Sequence, residues 1–142
     1  MTRDEARIAA LAEATRWIGT PYRHQGSALG AGADCLGLVR GVWRALYGRE
    51  PEPLPPYSPA WAEFGGEERL MATFDRYLVR VDDPRPGEVV AWRFRRTAAA
   101  KHCAVLAEGG EIIHAYSGRT VCRTPNPPAW RNGFAGAWAW AA

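Results

Sequence analysis

Asp34-Cys35-Leu36-Gly37-Leu38-Val39-Arg40-Gly41-Val42-Trp43-Arg44-Ala45-Leu46-Tyr47-Gly48 is the stretch whose periodicity decides the fold. Cys35, Leu38, Val39, Val42 and Leu46 recur at i, i+3, i+4, i+7 and i+11, which is one face of an α-helix. Arg40 and Arg44 fall on the opposite face, and Gly48 supplies the stop. The spacing therefore predicts a half-buried helix from about Cys35 to Tyr47 that must pack on something else.

Upstream lies a Gly-rich loop, Thr20 to Ala33. Before it, Ile8, Leu11, Ala12, Thr15 and Ile18 keep helical spacing from Arg3 to Ile18. Asp4 and Glu5 suit the start of that helix, and Gly19 and Pro21 its end. Downstream, five prolines between Pro51 and Pro59 predict an extended connector, the centre of a proline-rich insert at about 49–61. A weaker helix is expected from Glu67 to Leu78. The period then changes to that of strands at Val89–Trp92, His102–Ala107, Ile112–Tyr116 and Phe134–Trp140. In the last of these Phe134, Trp138 and Trp140 are expected on one face and Ala135, Ala137 and Ala139 on the other. Helices first and strands second, with hairpin-length gaps, make an α+β fold: N-terminal helices packed on an antiparallel β-sheet.

The 142 residues fit one domain, 1–142, and 47% hydrophobic residues suffice for a core without disulfides or a structural metal. The net charge of +3, with Arg93, Arg95 and Arg96 the one cluster, suits weak attraction to an anionic surface and selects none. Three cysteines without a C-x-x-C spacing exclude a disulfide scaffold. No apolar leader follows Met1, and no run is long enough to span a membrane, so neither export signal nor membrane span is expected.

Cys35 falls in the first turn of its helix. There the dipole favours thiolate over thiol, and unpaired backbone N–H groups can bind an oxyanion. It also fits as a small core residue on the apolar stripe. Two of the three histidines, His102 and His114, fall on neighbouring strands, where one can serve as base and the other orient it. A two-residue turn at Gly109-Gly110 would pair His102 with Ser117 and put His114 on the other face. Contact between the imidazoles therefore requires a wider loop or a bulge between Ala107 and Gly110. A zinc site from Cys35, His102, Cys103, His114 and Cys122 is disfavoured, because adjacent His102 and Cys103 point to opposite sides of a strand. Of the seven tryptophans, Trp17, Trp43, Trp92, Trp138 and Trp140 lie in regular elements and are expected in the core. Trp61 and Trp130 are candidates for a partner surface. His24 either lines a cleft or faces water.

Gly19-Thr20-Pro21-Tyr22-Arg23, then Asp34-Cys35-Leu36-Gly37-Leu38-Val39, then His102 and His114, together resemble the NlpC-type cell-wall peptidases over about Ile18 to Tyr116. The resemblance implies a papain-like domain that cleaves the γ-D-glutamyl bond to diaminopimelate or lysine in peptidoglycan stem peptides. It implies Cys35 as nucleophile, His102 as base and His114 as orienting residue. Tyr22 matches a tyrosine that helps the oxyanion site. Asp34 matches an acidic residue that binds the free amine of the stem peptide, and it fits equally as a plain helix N-cap. Leu36 stands where the family usually has serine. The D-C-L-G-L variant and the stretch ending Tyr57-Ser58-Pro59-Ala60-Trp61 look like the subgroup of phage tails and phage-like gene transfer agents. That implies a particle-borne enzyme that acts in the periplasm or wall after release, with a tail or hub protein as partner. No cofactor, metal or nucleic acid is implied. Rival readings are a structural tail-tip protein with a relic site, and an amidase or acyltransferase on another substrate.

Overall fold

The computed structural model describes residues 1–50, 69–94 and 100–141. The expectations for Pro51 to Trp61, Glu67, Arg95 and Arg96 lie outside the described residues. Helix α1 spans Arg3–Arg16, helix α2 Cys35–Tyr47 and helix α3 Arg69–Tyr77. Two short strands, β1 (Ser27–Ala28) and β2 (Gly32–Ala33), form a small hairpin ahead of α2. The main sheet holds β3 (Val79–Val81), β4 (Val89–Trp92), β5 (His102–Leu106), β6 (Glu111–Ala115), β7 (Val121–Pro125) and β8 (Phe134–Ala139). Its order is β3-β8-β4-β5-β6-β7, and every pairing is antiparallel. This is the α+β architecture expected, with β3 and β7 added. Among the described residues no helix is long and apolar enough to cross a membrane.

The first helix begins as its sequence dictates: Thr2 and Glu5 exchange side-chain and backbone hydrogen bonds in a capping box. Its buried face, however, differs from the stripe of large apolar residues. Ala6, Ala10, Ala14 and Trp17 are buried, whereas Ile8 is 59% and Ile18 42% exposed. The reason is the closeness of the helices. A Cβ on Gly41 of α2 would lie 2.1 Å from the Trp17 ring, and one on Gly87 would lie 1.9 Å from the Arg7 carbonyl. Glycine at 41 makes room for the Trp17 ring and glycine at 87 lets a backbone approach α1 directly, so alanine fills the rest of the buried face and the isoleucines face out. Buried Glu88 accepts a two-pronged hydrogen bond from Arg3, which ties α1 to β4.

The sheet buries both faces. Val89, Ala91, Cys103, Val105, Ile113, Ala115, Val121, Trp138 and Trp140 pack against the helices. Val90, Trp92, Ala104, Ile112 and Ala137 form a second cluster on the far face, covered in part by Trp130. The expected grouping of Phe134 with Trp138 and Trp140 fails. The β4–β8 register shifts between Ala91 and Trp92, so Ala135 turns toward the helical core and Phe134 is 49% exposed. A bulge changes the parity of one strand and not of its partner.

Candidate active site

A short run of backbone pairing sets the near wall of the site. Gly19 N–H donates to Val121 O, Val121 N–H to Thr20 O, and Tyr22 N–H to Arg119 O. Tyr22 also bridges to Ala33, so the Gly19–Tyr22 segment is held between β7 and the hairpin. The chain then turns through Gln25, which has φ of +62°, and Asp34 locks that turn. Asp34 Oδ2 accepts the Gln25 N–H at 2.8 Å, and Oδ1 accepts the Gly37 N–H at 2.7 Å as N-cap of α2. Ser27 Oγ donates to Gly37 O at 2.6 Å, and a Cβ on Gly37 would meet the Gly26 carbonyl oxygen at 1.7 Å. Glycine is thus required there for the loop to reach the helix start.

Cys35 opens α2 with the amides of Cys35 and Leu36 ahead of the intrahelical ladder, which begins with Leu38 N–H to Asp34 O. Its half-buried sulfur reaches the start of β5, where Sγ lies 3.8 Å from the Lys101 carbonyl oxygen. The thiol is held well below its ordinary pKa. The Cys103 thiol donates a hydrogen bond to it, and a hydrogen bond and charge from His102 add to this against the opposing effect of burial. Cys103 itself is fully buried and pushed up, so it stays a thiol. Cys103 faces α2 while its neighbour His102 turns to the other side of the strand, as alternation requires. From the sequence, strand alternation alone places Cys103 pointing away from His102. That parity, combined with a helix packed on that face, would have placed it beside Cys35.

The wider turn expected between Ala107 and Gly110 is present. Glu108-Gly109-Gly110 form one 3-10 turn closed by Ala107 N–H to Glu111 O, and Val105 pairs with Ile113. Carried along the strands, this register sets 104 opposite 114 and 102 opposite 116, so both histidines share a face. His102 Nε2 lies 2.9 Å from His114 Nδ1, and both rings are 5% exposed. His114 Nε2 lies 3.0 Å from Thr124 Oγ1 on β7. Trp130 stands edge-on to both imidazoles, with centroids 5.1 Å from His102 and 5.6 Å from His114. Trp130, offered by the sequence as a partner surface, thus covers the histidine pair.

Burial first, then the neighbouring His102 and Arg119, pushes His114 down to about 4. It stays neutral through the range in which it must accept a hydrogen bond from a protonated His102. An unfolded histidine takes up a proton near pH 6.5, whereas this one does so only near 4, so the unfolded state binds more protons between those values. Stability should therefore fall by about 3 kcal/mol as pH drops through that window and level off below it. Urea melts across pH 4 to 7 would measure it, and His114→Asn should remove that part of the slope.

A cleft of about 220 Å³ brings together Tyr22, His24, Asp34, Cys35, Leu36, Lys101, His102 and Tyr116. All five site residues drawn from the sequence, Cys35, His102, His114, Tyr22 and Asp34, thus fall at this cleft or on the histidine relay behind it. His24 lines it. Tyr22 is pushed above its ordinary pKa by burial and by the charges of Asp34 and Cys35, and so remains a phenol donor. Asp34 is 3% exposed with both oxygens taken by backbone amides, so its N-cap role is in place. Leu36, the residue in the usual serine position, is buried against the core and forms part of the cleft wall. Among the described residues no three His, Cys, Asp or Glu side chains converge as metal ligands.

The family model for the NlpC/P60 family matches residues 19–139. The chain belongs to the NlpC/P60 family. Its fold is shared by the NlpC/p60 domain of the peptidoglycan hydrolase SagA, at TM-score 0.57 and 24% identity over 96% of this chain and 98% of that one. An NlpC/P60 family protein from Bacillus cereus superposes at TM-score 0.65 with 21% identity, covering 92% of this chain and 39% of that one. RipD from Mycobacterium tuberculosis, described as a non-catalytic NlpC/p60 domain protein adapted to peptidoglycan binding, matches at TM-score 0.60 and 15% identity over 96% and 98% of the two chains. No curated protein matches the sequence. The family member's papain-like fold is thus established, and members of this fold include both hydrolases and a non-catalytic binder.

Proposed function

We propose that this family member is a cysteine endopeptidase that hydrolyses peptidoglycan stem peptides at a γ-D-glutamyl–diaminopimelate type bond. The observation that carries the reading is the unbroken line from the depressed Cys35 thiol through His102 to neutral His114. A binding protein has no use for a stabilised thiolate beside a buried imidazole pair.

In this mechanism the Cys35 thiolate attacks the scissile carbonyl carbon, and the oxyanion is met by the Cys35 and Leu36 amides with the Tyr22 phenol. His102 gives its proton to the leaving amine as the C–N bond breaks, leaving a thioester on Cys35. His102 then takes a proton from water, whose hydroxide attacks the thioester. Collapse expels Cys35 as thiolate and restores the pair with His102 protonated. His114 accepts the His102 Nε2–H throughout, whether His102 is protonated or neutral. Asp34 contributes negative potential from the cleft floor to a substrate amine. The D-C-L-G-L sequence and the proline-rich insert support a place in a phage or gene-transfer-agent tail, assembled onto a hub protein and acting in the periplasm or wall.

Digestion of purified peptidoglycan by wild type and by Cys35→Ala tests the reaction, with products identified by mass spectrometry. New termini at the D-glutamyl bond, absent with the variant, are expected. No cleavage by a folded wild-type protein would replace the enzyme with a wall-binding or structural tail component. Immunodetection of the chain in purified tail particles tests the second part, and its absence there overturns that placement.

A further inference from the structure

A histidine orienter acts also through the ring nitrogen it does not share with the base, and here that nitrogen has a specific hydrogen-bond partner. His102 Nε2 is engaged with His114 Nδ1, which leaves His102 Nδ1 for Cys35. If His102 is to carry a proton on each nitrogen, His114 Nδ1 must be the acceptor, so its own proton must sit on Nε2. That nitrogen meets Thr124 Oγ1 at 3.0 Å. Thr124 belongs to β7, one strand beyond His114, and the register that sets His114 opposite Cys122 and Ile112 opposite Thr124 fixes the diagonal reach.

We propose that Thr124 is a positioning residue of the catalytic apparatus, whose hydroxyl accepts the His114 Nε2–H and so fixes the tautomer that lets His102 act as base. This rests on the reading of Cys35 and His102 as nucleophile and base. With the opposite tautomer, His114 Nδ1–H would donate to His102 Nε2. His102 would then be a neutral imidazole with its proton on Nδ1, unable to take one from Cys35. Among the described residues, Thr124 is the side chain that meets that nitrogen. The cavity of about 260 Å³ beside it is lined by Tyr116, Arg119, Cys122, Pro125, Pro127 and Trp130, with no carboxylate among them. Pro125, Pro127 and Trp130 lie within six residues after Thr124, so one segment both anchors His114 and, through Trp130, covers the pair.

Valine keeps the shape and strand preference of threonine and removes the acceptor, whereas serine keeps the acceptor. The test is the pH dependence of iodoacetamide alkylation at Cys35, read by mass spectrometry so that Cys122 is scored separately. It is paired with ¹⁵N spectra of the histidine rings. Thr124→Val should move the alkylation inflection up by about one pH unit, and slow the reaction about tenfold at pH values below the wild-type inflection. Thr124→Ser should stay within about twofold of wild type. The His114 signals should report Nε2–H in wild type and the serine variant, and Nδ1–H or a mixture in the valine variant. An unchanged inflection and tautomer in Thr124→Val overturns the proposal. No wall substrate enters this assay, so a wild type that alkylates with a depressed inflection yet leaves peptidoglycan intact refutes the substrate alone. A wild-type Cys35 that titrates as an ordinary thiol refutes the nucleophile–base pair and this proposal together.

Discussion

Replacing His102 with alanine should lower turnover of wall fragments by at least about a thousandfold, the effect of losing the base of a nucleophile pair. The same change should raise the pH at which Cys35 alkylates, because a hydrogen bond and a positive charge next to the sulfur disappear together. The thiol is not expected to return fully to ordinary behaviour. The Cys103 thiol and the amide end of α2 remain in place, and both favour the anion. His102→Ala should leave the fold intact, since the ring sits at the first position of β5 and packs against rings that persist without it. Comparison of single-turnover rate and alkylation profile separates the two consequences. A variant that retains wild-type turnover would remove His102 from the mechanism.

Asp34→Ala should be the costliest single change to stability near the site, at about 3 kcal/mol. One part is the loss of the N-cap of α2, worth about 1 kcal/mol. The other is the part-buried bond from the Gln25 N–H to a charged acceptor, which holds a turn with a non-glycine residue at positive φ and is worth about 2 kcal/mol. Asp34→Asn should lose less, because its carbonyl can keep the Gly37 bond while the amide group opposes the Gln25 N–H. Urea unfolding of the three proteins checks the order. If Asp34→Ala unfolds like wild type, the two backbone bonds are not what the carboxylate is for. Measuring KM of Asp34→Asn on stem peptides with free and with acetylated amines isolates the amine-binding role. A loss of affinity confined to the free amine is the expected result.

Much of the site was legible because its signals are local. A cysteine preceded by an N-capping aspartate and followed by a 3.6-residue apolar stripe marks a thiol at a helix start in any tertiary setting. The loop between β5 and β6 could be inferred as well: parity shows that a two-residue turn would separate the histidines, and the three-residue turn found at Glu108–Gly110 brings them together. Strand β7 was the loss that mattered, since it carries Thr124. Its alternation is interrupted by Pro125 and its apolar members are few, so Val121 and Cys122 give too short a pattern to stand out from the turns around them.

By itself, the sequence determined that helices precede strands, the seat of Cys35 at the opening of α2 and the placement of His102 and His114 on successive strands. Each of these follows from the backbone period and from glycine, proline and capping residues within a few positions. Tertiary structure alone decided which face of α1 is buried, that Cys103 supports the thiolate, and that Thr124 and Trp130 enclose the histidines. Those outcomes depend on how near two backbones approach and on the register between strands far apart in sequence. Neither quantity is written in any single segment, because each is fixed only when the segments meet.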